Sequence, residues 1–193
     1  MAKKKASPEE ISARICNDVR VLVNAHLCDG LDVETTKHAL QHVLRLWGIS
    51  NARNRYRDCK NWSKAALALL KKNKKAGKTG QKIYDGLYLE HVVPVKLFLD
   101  ELLSGSFRKT DAELSALFEK FLITTVLTEK ENEALRRFQS RMPDDSPPLR
   151  DLETDEQVWA RYREACAGGR SLFDRIRRDV SVKEILSSKK LSK

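Results

Sequence analysis

Aromatic residues are scarce in this chain, at 7% of 193 residues, so a core of any size has to be built from Leu, Val, Ile and Ala. Cysteine is scarcer still. Cys16, Cys28, Cys59 and Cys166 form no C-x-x-C pair, and no histidine stands at finger spacing from them, which excludes a zinc finger. They read as small apolar helix residues in a reducing compartment. Long apolar runs are missing, and no window approaches the roughly 20 residues of a membrane span. The start, Met1-Ala2-Lys3-Lys4-Lys5, holds no apolar stretch of the kind a secretory leader carries, so a cytoplasmic protein without a membrane partner is expected. Two nucleotide and metal motifs fail as well. Gly77-Lys78-Thr79 resembles the end of a phosphate loop, but Lys72 stands where that loop needs glycine, and no apolar strand leads into it. His38 and His42 share a helix face without the glutamate that a zinc protease helix places between them.

What the chain does have is positive charge. Its 37 Lys and Arg outweigh 27 Asp and Glu, for a net charge of +10. Such a surplus favours polyanionic partners through counterion release and long-range attraction, with DNA first and RNA second. A 41% hydrophobic content beside 33% charged residues supports a packed core.

Residues 1–80 read as a helical module. Ser7-Pro8-Glu9-Glu10 is a capping box with proline at the first helical position, and Ile11, Ile15, Val19, Leu22 and Val23 follow one face up to Gly30. Asp32 caps a second helix that ends at Gly48. Ser50 opens a third, with Tyr56, Cys59, Trp62, Ala66 and Leu70 on one stripe. Residues 71–82, with six lysines and two glycines, read as a basic, flexible connection. The composition then shifts. Ile83 to Val93 is rich in β-branched and aromatic residues and predicts a strand, which Pro94 stops. Lys96 to Leu103 predicts a short helix ending near Gly105. Thr110 with Glu113 opens another through Phe118, Ile123 to Leu127 predicts a second strand, and Thr128 with Glu131 caps a helix through about Phe138. Residues 139–193 read as an acidic, proline-containing linker and C-terminal helices. Thr154 and Gln157 cap a helix with Trp159 and Tyr162, Gly168-Gly169 break it, and an amphipathic piece follows with Arg170, Arg175, Arg177 and Arg178.

The chemistry concentrates in Leu87-Tyr88-Leu89-Glu90-His91-Val92-Val93-Pro94. A carboxylate and an imidazole stand side by side where a strand runs out, and a second strand and a polar helix follow. Phosphodiester hydrolysis needs a base that works near neutral pH, which histidine supplies, and a cation to offset developing charge. Adjacent strand residues point to opposite faces, so a twist or bulge is needed to bring both side chains to one cleft.

Glu90-His91-Val92-Val93-Pro94 resembles the acid-His-x-x-Pro signature of HNH nucleases, whose fold is a ββα-metal unit. Leu127-Thr128-Glu129-Lys130-Glu131-Asn132 looks like that fold's closing strand and metal-binding helix. The resemblance covers about residues 83–138. It implies an α+β, mostly helical protein with a small ββα-metal core between helical extensions. It also implies His91 as general base, Glu90 and Asn132 as ligands of one Mg²⁺ or Mn²⁺, and Thr124 in the position that orients the histidine, where the family commonly has asparagine. Activity as a DNA endonuclease is the expectation, and a restriction or phage-defence role fits it. Lys71, Lys72, Lys74, Lys75, Lys78, Lys96, Arg136 and Arg137 are the candidate phosphate contacts, although each on its own also reads as ordinary solvated surface. Glu131 reads as a capping partner before it reads as a ligand. Two other readings stand beside this one: a non-catalytic nucleic-acid-binding protein with a degenerate HNH fold, and a helical module whose N-terminal helices dock a second copy or another protein.

Overall fold

The computed structural model describes residues 7–47, 55–104, 110–138, 140–167 and 169–187. They form an α+β, mostly helical fold around a small mixed sheet. Among the described residues no helix is long and apolar enough to cross a membrane.

The N-terminal helices follow the capping signals. Helix α1 (Pro8–Asp29) starts at the reciprocal Ser7–Glu10 box and ends at Gly30, whose φ of 71° is a left-handed conformation that glycine adopts without strain. Helix α2 (Val33–Leu44) is capped by Asp32, which accepts from Thr35 N. Its expected stop, Gly48, lies outside the described residues.

The stripe from Tyr56 to Leu70 is not one helix. It divides into α3 (Arg55–Asp58), strand β1 (Asn61–Ser63) and α4 (Lys64–Lys75). Ser50 lies outside the described residues. The reason for the break is tertiary: Asn61 and Trp62 pair with a strand more than sixty residues away, and Ser63 caps α4 by accepting from Ala66 N. The lysine run also departs from expectation. Lys71, Lys72, Lys74 and Lys75 belong to α4 and residues 80–84 form a 3-10 turn, so only 76–79 of this stretch connect two helical segments.

Strand β2 (Leu87–His91) leads through Pro94 into α5 (Val95–Leu103). Helix α6 (Asp111–Phe121) begins at the Thr110–Glu113 box, and strand β3 (Thr124–Thr128) runs directly into α7 (Glu129–Ala134) through the Thr128–Glu131 box. The C-terminal third supplies α8 (Asp155–Val158), α9 (Ala160–Glu164), the two-residue strands β4 (Cys166–Ala167), β5 (Arg170–Ser171) and β6 (Ile176–Arg177), and α10 (Val182–Ser187). The single helix expected over Trp159 and Tyr162 is interrupted at Trp159. The surface linker expected before it, Pro143 to Glu156, buries Leu149 and Leu152.

The sheet order is β2-β3-β1-β6. β2 pairs antiparallel with β3, β3 parallel with β1, and β1 antiparallel with β6. β3 is therefore internal and covered on both faces. Val126 faces a cluster with Tyr56, Trp62, Leu70, Tyr84 and Val182, while Leu127 joins the larger cluster of α1, α2, α5 and α6. Successive strand side chains alternate faces, so a strand buried on both sides has to be apolar in sequence, as Val126-Leu127 is. The segments 1–80, 83–138 and 139–193 consequently do not pack as separate units. β1 and α4 come from the first, β6 and α10 from the last, and both complete layers begun by the middle one.

Trp62 is fully buried between these layers and donates its indole N–H to Cys59 O at 2.9 Å. Trp62→Ala removes the largest side chain of the smaller cluster and an internal strand contact. A loss of about 3–5 kcal/mol is expected, measured by urea denaturation.

Candidate functional site

The antiparallel register sets His91 opposite Thr124 and Glu90 opposite Thr125. The ladder continues one bond further, with Val92 N donating to Ile123 O at 2.8 Å, before Pro94 turns the chain into α5. α7 packs back onto both β2 and β3. The antiparallel pair β2–β3, joined through α5 and α6, packs with α7, and Glu90-His91 lie at the end of β2.

The residue that organises this end is Arg161, on α9, with no solvent exposure. Its Nη2 donates to the Glu90 carboxylate at 2.5 Å and to the main-chain carbonyl of His91, and Nη1 donates to Phe138 O at 2.9 Å. A planar guanidinium can serve three acceptors in a fixed geometry, which lysine cannot. The alternation of the strand is respected: Glu90 meets the guanidinium through its side chain and His91 through its carbonyl. Tyr162, the next residue, is also fully buried. Its phenol is held well above its usual range, first by burial and then by the Glu90 carboxylate, with Arg161 opposing. The Tyr162 and Thr125 hydroxyls lie close together, short of hydrogen-bond geometry, and neither has a partner among the described residues.

His91 is partly buried, and burial, then the charges of Arg161 and Arg45, lower its pKa from 6.5 to about 4. Its imidazole is therefore neutral through the physiological range and a weaker base than an ordinary histidine. Thr124, expected to orient it, sits across the ladder but turns its hydroxyl to Cys59 Sγ at 3.5 Å, and its carbonyl accepts from Asn61 Nδ2 at 2.9 Å. The Cys59 thiol is raised to about 11 by burial, so it stays protonated and inert as a nucleophile.

Asn132 lies on α7, partly buried, one residue beyond Glu131. Glu131 makes the expected capping box and something more. Its Oε2 accepts from Thr128 N at 3.0 Å, from Thr128 Oγ1 at 2.9 Å and from Ser63 Oγ at 2.6 Å, which joins the cap of α7 to the cap of α4. The helix thus places Glu131 against Ser63 at the end of β1. Among the described residues no group of three His, Cys, Asp or Glu side chains gathers at metal-binding spacing, and Glu90 is already neutralised by the buried cation of Arg161.

The candidate phosphate contacts divide. Lys71, Lys72, Lys75 and Lys96 are exposed. Lys74 instead ties α4 to α10 by donating to Ile185 O at 2.9 Å, and Lys78 pairs with Asp85 at 3.2 Å. Arg136 pairs with Glu133 at 2.9 Å, while Arg137 donates to Glu164 O at 2.8 Å and lies over the Phe138 ring. Arg161 and Tyr162 were not assigned to the site from sequence. The available signal was an arginine enclosed by Trp159 and Tyr162, aromatic neighbours that draw it inward. Compared with known protein families, curated proteins and solved structures, the chain matches none.

Two predictions follow from these contacts. Arg161→Leu leaves the Glu90 carboxylate without its buried counter-charge. It is expected to cost about 3–5 kcal/mol, and the Glu90→Gln/Arg161→Leu double variant to recover part of that in a double-mutant cycle by urea denaturation. The second concerns pH. Because the folded state resists protonating His91, the unfolded chain takes up a proton that the folded one refuses between pH 6.5 and about 4. The associated stability is full above 6.5 and is lost as pH falls toward 4, up to about 3 kcal/mol. His91→Gln should flatten that part of the stability profile, and an unchanged acid slope would remove His91 as its source.

Proposed function

We propose that this protein hydrolyses phosphodiester bonds of nucleic acid, DNA first, with His91 as general base. The observation that carries this reading is the antiparallel pair β2–β3, whose second strand runs directly into α7, with Glu90-His91 at the end of the first. A neutral imidazole takes the proton of an attacking water, and the Arg161 clamp on the His91 carbonyl fixes the backbone that carries it. The exposed lysines Lys71, Lys72, Lys75 and Lys96 supply backbone contacts that are indifferent to base sequence. The net charge of +10 gives the long-range attraction.

A second reading has its own observation. The Arg161–Glu90 pair occupies the carboxylate that a metal-assisted nuclease would offer to a cation, and this favours a nucleic-acid-binding protein that does not cut. The experiment that separates the two is nicking of supercoiled plasmid in Mg²⁺, Mn²⁺ or EDTA by wild type and by His91→Ala. Nicking by wild type that falls about 100-fold or more in His91→Ala is expected. Cleavage abolished by EDTA assigns a cation to the reaction, and cleavage that survives EDTA removes it. If neither protein cuts in any condition while both bind DNA with a steep salt dependence, the binding reading replaces the nuclease.

A further inference from the structure

The N-terminal helices bring a cation to the end of β2. Helix α2 packs on α5, and the Lys37–Asp100 ion pair joins them at 3.6 Å. About two turns beyond Lys37, α2 ends at its C-cap, Arg45. Leu44 and Trp47, on either side of that end, are buried in the same cluster as Val92 and Val93, the two residues that follow His91. Asp100 lies in the later half of α5, so Lys37 marks one end of the contact. Arg45 marks the other, where its positive charge acts on the His91 imidazole before α5 begins. Two arginines therefore act on that ring, and they differ in what holds them. Arg161 is buried and matched by the Glu90 carboxylate and two main-chain carbonyls. Arg45 is exposed, and its guanidinium makes no hydrogen bond or ion pair among the described residues. With Arg161 offset by Glu90 and the imidazole uncharged, Arg45 leaves this end of β2 with an excess of positive charge. Its charge also suits a helix C-terminus, but that interaction leaves the planar fork of donors unused, and the fork matches phosphate oxygens two at a time.

We propose that Arg45 is the phosphate-binding residue of the His91 site, its guanidinium holding the phosphodiester that the attacking water meets. The inference deepens the nucleic-acid reading above and rests on it. It also makes α2 part of the site, because Arg161 is fully engaged and cannot take this role. In the step itself the water oxygen bonds to phosphorus and its proton goes to His91. The ester P–O bond breaks, and the leaving oxygen takes a proton from solvent. Negative charge grows on the phosphate oxygens as this happens. A guanidinium fixed beside them holds the transition state more tightly than the ground state, so its loss falls on kcat more than on KM.

The test compares the full chain with Arg45→Ala, Arg45→Lys and His91→Ala, each checked by thermal melting. Binding of a duplex oligonucleotide is measured in EDTA over a range of salt, and nicking of supercoiled plasmid in Mg²⁺. Arg45→Ala is expected to lower the slope of log affinity against log salt by about one. It should also lower kcat about 100-fold with a smaller change in KM. Arg45→Lys keeps the charge and the salt slope but loses the fork, so kcat returns only in part. The Arg45→Ala/His91→Ala double variant should cut only slightly less than His91→Ala, because both residues act on one step. A folded Arg45→Ala chain with the wild-type salt slope overturns the proposal, as does a loss confined to KM. Should Arg45→Ala not fold, Arg45→Lys with the wild-type kcat overturns it. A wild type that cuts nothing, beside an Arg45→Ala chain with the lower slope, keeps the phosphate contact and loses the nuclease reading. A wild type that cuts through His91, beside an Arg45→Ala chain that cuts equally well, loses this inference alone.

Discussion

Arg161 brings a full positive charge to a position that water does not reach, and two other parts of the chain supply acceptors to it. The Glu90 carboxylate, the His91 carbonyl and the Phe138 carbonyl come from the end of β2 and from the turn after α7, while the guanidinium comes from α9. A buried charge is tolerated only where its donors are met by acceptors of good geometry. The guanidinium therefore fixes where the C-terminal helices sit against the β2–β3 pair. The same charge helps hold His91 neutral, so a structural demand sets the protonation state of the candidate base.

A second polar junction does comparable work on the other side of α7. Ser63 accepts from Ala66 N at the start of α4 and donates to Glu131, which at the same time closes the cap of α7. Two helix starts and the internal strands β1 and β3 are thereby held through one serine and one glutamate. α7 is only six residues long, too short to be stable alone, so its position depends on this cap and on packing against the sheet. Of two neighbouring residues on it, Glu131 is buried in this junction and Asn132 is partly buried.

Much of the local structure was legible in the residues. Each Ser or Thr followed by Glu or Gln three places on, at Ser7, Thr110, Thr128 and Thr154, begins a helix. The two stretches read as strands, Ile83 to Val93 and Ile123 to Leu127, contain β2 and most of β3. These signals are local because a cap bonds amides within the same turn. The failures share a cause as well. Asn61-Trp62-Ser63 continues a helical stripe in sequence and becomes a strand through pairing with Thr125, Val126 and Arg177. The lysine run looks like linker by composition and is helix because α4 packs on β3.

The sequence alone determined the helix starts, the two principal strands, the adjacency of Glu90 and His91 and the excess of positive charge, since each depends on neighbouring residues or on counting. Only the tertiary structure decided that Arg161 meets Glu90 across seventy residues, that Thr124 turns to Cys59, and that Glu131 joins the cap of α7 to the cap of α4 through Ser63. Those are questions of which surfaces meet. Burial and charge pairing settle them between segments far apart in the chain, and no local pattern records the outcome.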